Sequence, residues 1–162
     1  MKSLQKRMVG LFLILLTFSV QADTGKDGNS PVYLQEADKP LSQVYDKVYK
    51  SLEEARFFVV FEPNIGANLA RFADKWGDNY NRNKLTAIRS MVFCNVWYAN
   101  KVSNQDPNML GLCPLHISLI ERENRTTVIF NRPSVIAENS PAKELIETIE
   151  AEVIAAIESA LK

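Results

Sequence analysis

Leu41, Val44, Tyr45, Val48 and Leu52 recur at steps of three and four residues. That spacing lines one face of a helix with apolar side chains, while Lys47, Lys50, Glu53 and Glu54 fall largely on the other side. The rhythm breaks at "EARFFVVFEP" (54–63), where a continuous run of Phe and Val predicts a buried strand that Pro63 ends. Before this helix, "PVYLQEA" (31–37) reads as a short first strand. After it, Leu69, Phe72, Ala73 and Trp76 keep helical spacing up to a stop at Gly77.

"TAIRSMVFCN" (86–95) reads as a strand, followed by a short helix and a turn at Asp106-Pro107. Leu115, Ile117 and Leu119 then alternate with His116 and Ser118, which is strand periodicity. The polar link "ENR" (123–125) closes a hairpin into "TTVIFN" (126–131). Over 141–162, Leu145, Ile149, Val153, Ile157 and Leu161 follow at intervals of four, joined by Ile146 and Ile154. Ser140 suits the cap of this long helix and Pro141 its first position. Its stripe packs on the sheet or serves as a docking surface for a partner helix. The pattern predicts an α+β fold: a mostly antiparallel sheet with helices packed on one face.

The first 22 residues stand apart. Lys2, Lys6 and Arg7 precede an apolar run, Met8 to Val20, and Val20-Gln21-Ala22 has the small-x-small form that signal peptidase reads. The run is shorter than the roughly 20 apolar residues a membrane span needs, so a cleaved signal peptide (1–22) and a periplasmic or secreted protein without a stable membrane anchor are expected. Residues 23–39 then form a polar leader and the possible first strand, and 40–162 a single domain. The 140 residues left after cleavage carry 16 basic and 19 acidic side chains, net −3. Without a basic cluster to neutralise phosphates, nucleic acid is not an expected partner.

Candidate chemistry gathers around "LGLCPLHISLIE" (110–121), which holds the only histidine and one of the two cysteines. No nucleophile motif and no singled-out carboxylate pair exists, so no catalytic residue is assigned. Cys113 and His116 offer a C-x-x-H pair for copper or zinc, with Met91 and Met109 as further soft donors. In an extended strand, however, those two residues point to opposite faces. A disulfide asks only for proximity: Cys94 ends one strand and Cys113 enters the next. Closing the 18-residue loop between them would contribute about 3 kcal/mol by the chain-entropy estimate.

The stretch "MVFCNVWYANKVSNQDPNMLGLCPLHISLIERENRTTVIFNRPSVIA" resembles the core of the domain of unknown function 302 family. Members often show a strand ending in F-G-N-P or C-N-P, here Phe93-Cys94-Asn95-Val96. An L-P-L-K/R strand start follows, here Cys113-Pro114-Leu115-His116-Ile117, and a late N-x-P, here Asn131-Arg132-Pro133. The earlier "SLEEARFFVVFEPNI" looks like the family's helix and strand, with Arg56 where glycine is usual. The resemblance spans about residues 40–137 and implies a TBP-like fold with a curved sheet. It implies no activity. The cysteines stand where other members have glycine and leucine, which fits a stabilising bridge added to a fold that does not need thiols.

A face of the sheet carrying Arg89, Met91 and Phe93 beside His116, Ser118 and Ile120, then Thr127, Ile129 and Asn131, is the expected place for a ligand or for the second chain of a homodimer. Asn95, Pro114, His116 and Asn131 are the candidate binding residues, the asparagines as hydrogen-bonding groups and the histidine as a switchable charge. The expected function is non-enzymatic binding of a small molecule or protein partner without a cofactor. The alternative is thiol redox or copper or zinc binding through Cys94, Cys113 and His116.

Overall fold

A computed structural model describes residues 30–162; the expected signal peptide and most of the leader lie outside the described residues. Five strands form one antiparallel sheet in the order β1-β5-β4-β3-β2. They are β1 (Val32–Ala37), β2 (Phe58–Phe61), β3 (Ala87–Cys94), β4 (Leu115–Arg122) and β5 (Arg125–Asn131). The chain therefore starts at one edge of the sheet and crosses by α1 (Leu41–Glu54) to the other edge. It returns inward through β3, β4 and β5. The first strand, at the margin of the predicted domain, is paired along its full length with β5.

The long helix α6 (Lys143–Leu161) lies beside α1, and the two cover one face of the sheet. Val44, Val48 and Leu52 of α1 and Val153 and Ile157 of α6 are fully buried there against Met91, Phe93, Ile117, Leu119 and Val128. Each such side chain contributes about 1.5–3 kcal/mol on leaving water. The apolar stripe of α6 is thus spent on the core.

The ends of α1 show how local chemistry aims these elements. Pro40 gives its first turn no side-chain cap; instead the Glu121 carboxylate of β4 accepts from Leu41 N at 2.6 Å. A carboxylate at that position also suits the positive end of the helix. At the other end Phe57 N donates to Leu52 O and Arg56 N to Glu53 O, both at 2.9 Å. These two bonds form a Schellman stop, in which the residue between helix and strand must turn left-handed. Arg56 does so, with φ 66°, at the position where the family pattern has glycine. The stop throws Phe57 back against the core, where it and Leu52 are both almost wholly buried.

β2 is a short edge strand with a register shift between Val59 and Phe61. Phe58 is 50% exposed and Phe61 64% exposed, so the "FVVF" run is not the buried strand its composition suggests. Val59 N, on this edge, is occupied by the Glu53 carboxylate at 2.9 Å. The following segment is two short helices, α2 (Ile65–Ala70) and α3 (Ala73–Trp76), rather than one. Phe72 and Trp76 stack on each other at 5.4 Å and stay half exposed. Their spacing serves a local aromatic pair. The β4–β5 hairpin turns through Glu123 and Asn124, both with positive φ (54° and 62°), the twist that two-residue hairpin loops prefer.

Two further expectations are corrected. Arg89, Met91 and Phe93 do not share a face with His116 and Ser118: Met91 lies opposite Ile117 and Phe93 opposite Leu115, under the helices. The opposite face instead pairs Ser90, which is buried, with Ser118 and Val92 with His116, and continues through Ile129 and Thr127. The buried register explains it, because apolar Met91 and Phe93 gain more under α1 and α6 than facing water. Second, α6 begins at Lys143, with Ala142 at its cap. Ser140 closes the preceding turn, where its Oγ accepts from Ala142 N at 3.1 Å.

Arg56→Gly tests the helix stop. Relief of the left-handed strain, about 1–2 kcal/mol, outweighs the extra freedom glycine gives the unfolded chain, about 0.4–1 kcal/mol. Urea unfolding is expected to show a stability gain of up to about 1 kcal/mol with an unchanged m-value.

Candidate functional site

Where β3 ends and β4 begins, α6 covers the sheet from one side only, through Ile146 and Ile149. The connection between those strands folds back over the gap as α4 (Val96–Gln105) and a 3-10 helix, Pro107–Leu112. Asn95 starts α4, its Oδ1 accepting from Trp97 N at 3.1 Å and Tyr98 N at 3.2 Å. Asp106 starts the 3-10 turn by accepting from Asn108 N at 3.0 Å. Its other oxygen takes the Ser140 hydroxyl at 2.7 Å, tying this wall to the approach of α6. The Ser140 hydrogen bond also holds the Asp106 carboxyl below its ordinary range.

Between this wall and the sheet lies a narrow apolar cleft of about 50 Å³. Phe57, Phe93 and Leu115 form its floor, Tyr98, Ala99 and Val102 one side, and Ile146 and Ile149 of α6 the other. Met109 and Leu112 come from the 3-10 turn. Cys94 and Cys113 line it too, as free thiols with their sulfurs 3.3 Å apart. Antiparallel pairing of β3 and β4 up to Phe93 and Leu115 brings them together, as the sequence suggested. Burial, and then the hydrogen bond and charge of Cys94, push the Cys113 thiol up to about 11. The peptide bond from Cys113 to Pro114 is cis.

The four candidate binding residues divide between two places. Asn95 lines the cleft, but its oxygen is committed to capping α4. Pro114, His116 and Asn131 line a separate, larger and more polar depression with Phe130 and Ile136. His116 is exposed on the open face, whereas Cys113 lines the cleft. The Cys113–His116 ligand pair is therefore not assembled, as strand alternation argued. Among the described residues, no cluster of three or more His, Cys, Asp or Glu side chains is placed to hold a metal. Of the two methionines named as soft donors, Met91 is fully buried in the core and Met109 is in the cleft.

The sequence predicts the short helix that is α4, but not that Tyr98, Ala99 and Val102, at three- and four-residue steps, line a cleft. Nor does it predict a buried ion pair beside the site. Arg132 Nη1 lies 2.7 Å from Glu150 Oε1, both side chains about nine-tenths buried. The second Glu150 oxygen accepts from Ser134 N at 3.1 Å. This fixes the short helix α5 (Pro133–Ile136), and Pro133 at the cleft's edge, to α6.

The profile of the family described as "Domain of unknown function DUF302" matches residues 33–161. The crystal structure of an uncharacterized conserved DUF302 protein from Bacillus stearothermophilus is similar, with a TM-score of 0.68 and 16% identity. The match covers 82% of this chain and 98% of that one. At that identity the likeness concerns the fold. No curated protein matches.

Tyr98 gives the cleft wall a pH signature. Its hydroxyl donates to Glu152 Oε1 at 2.6 Å. That bond first, then burial and the charge of Glu152, raise the phenol from about 10 to about 12. The folded state thus holds this proton more tightly than the unfolded chain. Its stabilising contribution is complete below pH 10 and is lost as pH rises towards 12. Ultraviolet titration should find Tyr98 and Tyr33 both ionising near 12, and Tyr98→Phe should remove one of these two ionisations and make the alkaline fall in stability shallower.

Proposed function

Because the chain belongs to the DUF302 family, whose shared fold carries no assigned activity, we propose from its geometry an exported, non-enzymatic domain that binds a small ligand in the cleft between α4, α6 and the sheet end. One observation carries this: a concave, almost wholly apolar space whose polar lining is confined to Asn95 and two touching thiols. Ligand sites commonly combine an apolar wall with a few convergent polar groups. The depression around His116 and Asn131 is larger but more polar, and becomes the secondary candidate. Export rests on the basic start, apolar run and Val20-Gln21-Ala22. No helix among the described residues is long and apolar enough to cross a membrane.

The sulfur contact favours a second reading, in which the cysteines act as a thiol pair, bridged or free. It is the same place in the molecule, so the two readings differ in what the cleft holds.

Toluene titrated into the metal-free protein should perturb the backbone NMR signals of Tyr98, Ala99, Val102 and Ile149. Ala99→Leu fills the space from its half-buried wall and should abolish that response while the circular dichroism spectrum stays native. Unchanged signals at Ile149, with shifts only around His116, would move the site to the open face. For export, the protein recovered from a periplasmic extract should begin at Asp23. A start at Met1 in the cytoplasmic fraction would remove that part of the proposal.

A further inference from the structure

Resting on the cleft as the ligand site, we propose that its ligand class is a monovalent soft metal ion, copper(I), held by the thiolates of Cys94 and Cys113 in the reduced protein. Two sulfurs already in contact at 3.3 Å need only a small side-chain movement to admit one ion between them. Their surroundings choose among metals. Zinc asks for four ligands, and among the described residues no third histidine, cysteine or carboxylate joins the pair. Soft thiolate and thioether donors select copper(I) instead, and two thiolates suffice for a closed-shell monovalent ion. Met109 lines the same cleft and brings a neutral thioether, a further soft donor, to it.

The apolar walls keep water and hard oxygen ligands away from such a site, which disfavours divalent ions. The entering ion displaces the thiol protons. On binding, two S–H bonds break and two S–Cu bonds form. Two protons pass to solvent, and no electron is transferred.

The balance sets the test. Anaerobic reduced protein is titrated with copper(I) in competition with the chromophoric chelator bathocuproine disulfonate. One equivalent should be retained, with affinity rising about tenfold per pH unit for each thiol proton released. Cys94→Ser and Cys113→Ser should each weaken retention about 100-fold or more, with native circular dichroism confirming the fold. X-ray absorption on the wild-type protein guards against misfolded variants: sulfur-only scattering supports the site, and nitrogen at the copper overturns it. Loss of all copper to the chelator also overturns it, as does a native bridge that no reductant opens before unfolding. If copper is lost while toluene still maps to the cleft, the metal proposal falls alone; if both fail, the cleft falls with it.

Discussion

A five-stranded antiparallel sheet in water must seal one of its faces, and the architecture follows from how this chain does so. Two helices are long enough to cover most of that face, α1 and α6, and the residues buried beneath them form the core. Where β3 passes into β4, only Ile146 and Ile149 of α6 extend over the sheet. There the connecting chain doubles back as α4 and a 3-10 turn, a thinner cover carried on short elements. Side chains of α4 and α6 meet over that end without filling the space between them. The cleft is therefore the seam between a rigid cover and an improvised one.

That seam is held by polar bonds at its margins. Asp106 joins the loop wall to Ser140, Tyr98 joins α4 to Glu152, and Glu150 clamps Arg132 and Ser134. Removing one partner of a buried ion pair is costly, about 3–5 kcal/mol, so the Glu150 clamp is the strongest of these ties. The wall of α4 is tied to α6 by the Tyr98–Glu152 hydrogen bond instead of an ion pair. Function in such a fold is expected where the cover is thinnest, since the sheet and its two long helices have little freedom to respond.

Much of this could be read from residue order. The α1 and α6 stripes, the hairpin and the meeting of Cys94 with Cys113 all rest on local periodicity or on neighbouring strands. What could not be read depends on long-range choices. The face of β3 was ambiguous because Arg89 and Ser90 make either face partly polar. The structure settles Arg89 by stacking its guanidinium over Tyr45, 3.9 Å from the ring centroid, beside Glu62. The cap of α1 comes from Glu121, eighty residues away in sequence. The helical spacing through Leu69 and Trp76 misled because Phe72 and Trp76 satisfy each other. His116 looked central because it is the lone histidine of the chain, yet its strand carries it away from the cysteines.

The carboxylate of Glu53 on Val59 N has a meaning for how the protein comes into being. Edge strands with exposed Phe58, Val60 and Phe61 are templates for unwanted pairing between chains. The guard is only six residues upstream of the amide it covers, and it stands on α1, an element complete before β2 begins. During synthesis from the N-terminus the shield is therefore made ahead of the strand that needs it. The strand that pairs with its other side, β3, lies further along the chain, so the guard of this edge is local in sequence while its pairing is not.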